Sequence, residues 1–245
     1  MPDAIAHFAI RLICGIALVL CAMPRKDVPS AFFRIMSLVV LGLAGLFAIS
    51  VPGQFWWGVA LASLAFAGSV VWLLERRQAG TAVLLILFVV ALIEVFRMSL
   101  DAAGPSQSAG WLALPSDLAA SATLGTAFTG MLLGHRYLTA PGMPLTPLIW
   151  VNGALGAVAI VRFILSAAAL VIGFGALSQP IYWAWLGLRW LAGILGPMAA
   201  CVMVHRILRY RNTQSATGVL FVAVILTFIG ELTGDLLARA LHVPF

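Results

Sequence analysis

A chain of 245 residues that is 63% hydrophobic and only 9% charged stands far from the roughly 25% charged residues of soluble domains. Composition therefore places it among polytopic membrane proteins, with nearly all of its length embedded. The net charge of +6 does not argue for nucleic acid, because that reading needs basic residues clustered on a soluble surface, and here they sit in short connections between apolar runs.

Eight apolar segments follow in order, at about 4–23, 31–51, 55–74, 79–98, 117–134, 148–173, 181–208 and 216–242. Each is close to the ~20 residues that cross the hydrocarbon core. The expected fold is all-α: one transmembrane domain over 1–245 with eight spanning helices. One polar connection, Ser99 to Ser116, leaves four segments on either side, which is compatible with two four-helix halves. The first segment lacks a basic leader and is followed, not preceded, by basic residues, so it reads as an anchor and not as a cleaved signal.

Arginine and lysine set the expected orientation. Arg25, Lys26, Arg34, Arg76, Arg77, Arg136, Arg206, Arg209 and Arg211 all fall in odd-numbered connections. By the positive-inside rule those connections are cytoplasmic and both termini lie outside, in a bacterial-type cytoplasmic (inner) membrane. Trp56, Trp57, Trp72, Trp111, Trp150, Trp183 and Trp185 sit near segment ends and read as an interfacial belt. Cys14, Cys21 and Cys201 fall inside segments without a C-x-x-C or a zinc spacing, so they read as small core residues. Gly130 and Gly134 form a small-xxx-small pair, among several glycines that favour close helix packing. Pro197 inside segment seven predicts a kink.

With that orientation the embedded ionisable residues gather in the outer half. They include His7 and Arg11 in segment one, Glu94 and Arg97 closing segment four, and Asp117 opening segment five. Arg162 lies near the middle of segment six and Arg189 two turns into segment seven. Segment eight carries Thr227, Glu231, Asp235, Arg239 and His242 at steps of four, four, four and three, which form one helical stripe. A charge near the bilayer centre costs roughly 2.5–3.5 kcal/mol even on a lenient scale, so this stripe is expected to face protein and water. One reading makes these residues structural ion pairs, with Arg162 and Arg239 the clearest candidates. The sharper reading is a polar pocket on the outer side, with His7, Arg11, Glu94, Arg189, Glu231 and Asp235 as its candidates. There a carboxylate or histidine takes a proton from a membrane-soluble quinol. His135 with His205, and His7 with His242, are weak candidates for haem ligands. Their places at helix ends suit interfacial roles better, so b-type haem is the less favoured cofactor, and no covalently bound group is expected.

The run Ile225-Leu-Thr-Phe-Ile-Gly-Glu-Leu-Thr-Gly-Asp, followed by Ala240-Leu-His242, resembles the closing helix of the dimethyl sulfoxide reductase membrane-anchor family and of the related polysulfide/nitrite reductase anchors. Asp235 stands where that family carries arginine, with Arg239 one turn later. The resemblance implies a non-catalytic membrane subunit, with quinone or quinol as substrate near the outer face. It also implies an iron–sulfur partner and a molybdopterin-type catalytic subunit. A haem b cytochrome subunit and a small-solute or proton-coupled transporter are the alternative functions.

Overall fold

The computed structural model describes residues 2–103, 110–140 and 142–244. Among them the regular structure is helical: α1 (Pro2–Ala22), α2 (Ser30–Ser50), α3 (Phe55–Leu73), α4 (Arg77–Ala103), α5 (Gly110–Thr139), α6 (Thr146–Gly173), α7 (Pro180–Trp190), α8 (Gly196–Arg209) and α9 (Thr213–Leu241). A π-turn, Leu191–Leu195, joins α7 to α8, so the two occupy the place of one expected segment. The sequence accounts for the ends. Proline opens α7, where its missing N–H costs nothing. The Ser215 N–H donates to the Asn212 side chain to cap α9. Glu75, Arg211 and His242 adopt left-handed φ angles just past α3, α8 and α9.

Among the described residues, seven helical stretches are long and apolar enough to cross a membrane: Asp3–Ala22, Ser30–Ser50, Pro52–Leu73, Arg77–Asp101, Thr146–Ala176, Pro180–Arg209 and Thr213–Leu241. Large apolar side chains face outward along them; Ile49 is 78% exposed, Val171 81% and Leu191 67%. Such a surface suits lipid and not water. This is a multi-pass membrane architecture. The expected fifth span differs in kind from the other seven. α5 is long, at 30 residues, but carries Ser116, Asp117, Ser121, Thr123, Thr126 and Thr129, all buried. It packs against α1, α4, α6 and α9. Its polar and small residues face protein, which is why apolarity alone does not single it out.

α1 to α4 pack each on the next, with α4 closing back on α1. In the second set α5 packs on α6 and α9, α8 on α6 and α9, and α7 on α9, while α1 against α5 forms the main seam between the two sets. The seam is tight because both helices present glycine. A Cβ on Gly15 would run into the Ser121 carbonyl, and one on Gly125 into the Gly15 backbone. Gly193 and Gly230 make a second crossing of this kind, between the π-turn and α9. Gly134 packs on Thr217 and Gly130 on Val151, so the small-xxx-small pair of α5 serves α9 and α6. The kink expected at Pro197 takes the form of the π-turn just before it, a wider turn that accommodates a residue with no N–H to give. Trp72 departs from the interfacial belt. It is 2% exposed, stacks on Phe33 at 4.4 Å and lies over Gly80, locking α2, α3 and α4 together. The polar connection shrinks to the interval between Ala103 and Gly110; residues 104–109 lie outside the described residues.

Candidate functional site

The start of α1, the end of α4, the start of α5 and the end of α9 meet at one end of the bundle. A cavity of about 400 Å³ opens between them. Its polar wall is made by His7, Arg11, Asp117, Asp235 and Arg239, with Asp3, Asp101 and His242 also lining it. Met98, Ala113, Ala238, Val243 and Pro244 complete the lining with apolar surface.

The imidazole of His7 stands between two carboxylates. Nδ1 is 3.1 Å from Asp235 Oδ1, and Nε2 is 3.5 Å from Asp117 Oδ2. Arg11, one turn along α1, binds Asp117 and reaches Asp235 at 3.7 Å. Arg239 donates from Nε to Asp235 Oδ2 at 2.8 Å. With His7 neutral, the two arginines and two aspartates sum to zero, so one proton gained by the imidazole leaves the cluster at +1. An imidazole with a carboxylate at each nitrogen can accept a proton on one side and release one on the other.

Glu231 sits one turn deeper on α9, in a different setting. Its carboxylate accepts two bonds from Arg162, Nε to Oε1 at 3.1 Å and Nη2 to Oε2 at 2.8 Å. A third comes from Arg189 Nη1 to Oε1 at 2.9 Å. The three side chains are at most 1% exposed. Arg162 also donates to the Ser116 hydroxyl at 2.6 Å, and Ser166 lies 3.5 Å from Arg189. The paired fork on one carboxylate is the geometry that guanidinium favours when buried. Glycine makes room for it, because Cβ atoms on Gly193 and Gly234 would lie 2.9 and 3.0 Å from the Arg189 side chain.

The sequence-predicted candidates therefore divide. His7, Arg11 and Asp235 come together on the cavity wall, and Arg239, expected as a structural partner, lines the cavity while pairing with Asp235. Arg162 pairs with Glu231, and that triad with Arg189 lies behind the cavity wall. Glu94 is apart from both groups. It is fully buried and accepts from Arg97 Nη1 at 3.1 Å, while the Arg97 guanidinium lies 5.3 Å over the Trp57 ring. His135, His205 and His242 are exposed, and His135 meets the Phe221 ring edge-on. Among the described residues no group of three or more His, Cys, Asp or Glu is arranged to hold a metal ion.

Two members of the site were not singled out from sequence. Asp117 binds both His7 and Arg11; from sequence it stood among the embedded ionisable residues but not among the pocket candidates. Ser116 touches the cavity and also accepts from Arg162, which makes it the link between the wet cluster and the dry one. Three comparisons, with protein-family models, curated proteins and solved structures, give no match to this chain.

Proposed function

We propose that the chain is a multi-pass membrane subunit that binds a quinol in the cavity between α1, α4, α5 and α9, takes its protons, and passes its electrons to a partner. In this reading eight segments cross the bilayer, both termini lie outside, and the cavity opens on the outer side of a bacterial-type inner membrane. The observation that carries the reading is His7 held between Asp117 and Asp235 on the wall of that cavity. Its volume of about 400 Å³ falls in the range of about 300–1,000 Å³ that suits small-molecule sites. The apolar lining from Met98, Ala238 and Val243 fits a ring, while the carboxylates and imidazole fit its hydroxyls.

Oxidation of a quinol to a quinone releases two protons and two electrons. His7 and the flanking aspartates supply acceptors for the protons, with the open mouth as their exit. The electrons leave to an iron–sulfur partner, which a molybdopterin-type subunit would accompany, as the resemblance of α9 implies. Glu231, Arg162 and Arg189 have no direct part in this scheme; they hold the wall in place from behind.

Photo-crosslinking with an azido-quinone on the purified full chain tests the proposal. Label is expected on α1 and α9, and is expected to be lost in the His7→Ala/Asp235→Asn double variant while the chain stays folded. Labelling that is absent, or equal in the two proteins, overturns it. Proton-coupled solute passage is a second reading. One observation favours it: a helix interruption, Leu191–Leu195, beside the buried Arg189. Solute flux through liposomes holding this chain alone would select that reading.

A further inference from the structure

At the opposite end of the bundle, a second groove of about 390 Å³ runs between α6 and α8. We propose that it binds the phosphodiester headgroup of an anionic phospholipid. This inference stands apart from the quinol reading, since it uses other helices and the other end of the molecule.

Three basic side chains of α8 line the groove: His205, Arg206 and Arg209. The steps of four from 205 to 209 and three from 206 to 209 bring them to one stripe of the helix. All three are exposed, and none has a hydrogen bond or ion pair with another described residue. No carboxylate lines the groove with them. Arg25 and Arg77, by contrast, are tied down. Arg25 donates to Thr81, and Arg77 to the Arg25 carbonyl. Two unpaired guanidiniums and an imidazole around one hollow form a receptor for a single oxyanion, and guanidinium matches phosphate oxygens in particular.

Deeper in the groove, Asn152 supplies the opposite chemistry. It is 3% exposed, and its amide Nδ2 donates to the Cys201 carbonyl at 3.0 Å. That bond fixes which way the amide points and leaves Oδ1 buried with no partner among the described residues. A buried acceptor without a donor is costly. A glycerol hydroxyl or an ammonium beyond the phosphate would satisfy it. Gly153 leaves the floor open, since nothing lies within 4 Å of where its Cβ would be.

The apolar surroundings select a lipid over a free anion. Val202 lines the groove and is 54% exposed, and Ile149 and Met203 also present apolar surface outward nearby. Acyl chains can lie along that surface while the headgroup enters between the helices. A basic pocket between transmembrane helices is the setting in which acidic headgroups are held.

Native mass spectrometry of the purified full chain in mild detergent, titrated with phosphatidylglycerol or phosphatidylcholine, tests this assignment. Phosphatidylglycerol adducts are expected to be retained well above phosphatidylcholine adducts. Their affinity is expected to drop about tenfold or more in the Arg206→Gln/Arg209→Gln variant, since each basic residue near an anionic headgroup contributes comparably. Gly153→Leu, which fills the floor from an open position, is expected to weaken the same adducts without lowering Tm. Equal retention of the two lipids, or undiminished phosphatidylglycerol binding in both variants, overturns the proposal. Displacement of the lipid by millimolar inorganic phosphate reassigns the groove to a free oxyanion and overturns it as well.

Discussion

Glu231 and Asp235 lie one turn apart on the same face of α9, yet they belong to two environments. Glu231 is sealed by two guanidiniums, and its group carries a formal charge of +1, from two arginines and one carboxylate. Asp235 shares a balanced cluster with His7, Arg11 and Arg239 at the edge of a cavity. A step of about 6 Å along a helix thus separates an acid that can meet a ligand from one that only holds helices together. The difference comes from the neighbours. α6 and α7 deliver arginines to the deeper level, and α1 and α5 deliver a histidine and an aspartate to the shallower one. In a bilayer, the environment of an acid depends on which helices surround its level as much as on its distance from the surface.

The largest contrast expected from this arrangement is chemical access. In a background with Cys14, Cys21 and Cys201 replaced by alanine, a cysteine at Ala238 on the cavity wall is expected to react with a membrane-impermeant maleimide. A cysteine at Ser166, fully buried beside Arg189, is expected to stay unlabelled. Equal labelling would erase the distinction between wet and dry levels. Next is Glu231→Gln, which leaves two buried arginines without their anion and is expected to cost about 3–5 kcal/mol, read as a large loss of Tm in detergent. Gly230→Ala should be milder, about 1–3 kcal/mol, as the π-turn and α9 are forced apart. Its cost should survive in an Arg189→Met background only if backbone contact, not the arginine cradle, is what the glycine protects. The smallest effect belongs to Arg239→Ala. That side chain is 43% exposed, and its loss should change stability by under about 0.5 kcal/mol while the cavity loses one cation. If Arg239→Ala and Glu231→Gln destabilise to the same degree, the two levels are energetically alike and the comparison fails.

Much of the fold could be read from residue patterns because lipid imposes a simple rule on segment length and apolarity. The helices stand where the apolar runs are. α5 follows that rule least, for a reason visible in its serines and threonines: a helix enclosed by others answers to its neighbours and not to lipid. Trp72 shows the same limit, since position near a segment end predicts an interfacial ring, whereas Phe33 and Gly80 build a core slot for it. Within the site, the stripe on α9 was legible because i,i+4 spacing defines a face. Spacing does not say which helix covers each level of that face. That is why Glu231 and Asp235 looked alike, and why Glu94 seemed to belong with them although Arg97 holds it elsewhere. Asp117 was harder still, as an acid at a segment end has the same sequence signature whether it meets water or a buried histidine.

The π-turn at Leu191–Leu195 sets the rotational phase of the two helices it joins. Each residue of an α-helix advances the direction of its side chain by about 100°, and a wider turn takes up one residue more than an α-turn would. The azimuth at which α8 presents His205, Arg206 and Arg209 is therefore offset from the one at which α7 aims Arg189 inward. Removing a single residue from this turn would swing the three basic side chains roughly a quarter of a revolution about the axis, leaving Arg189 where it is and carrying its distant neighbours off the groove they now line.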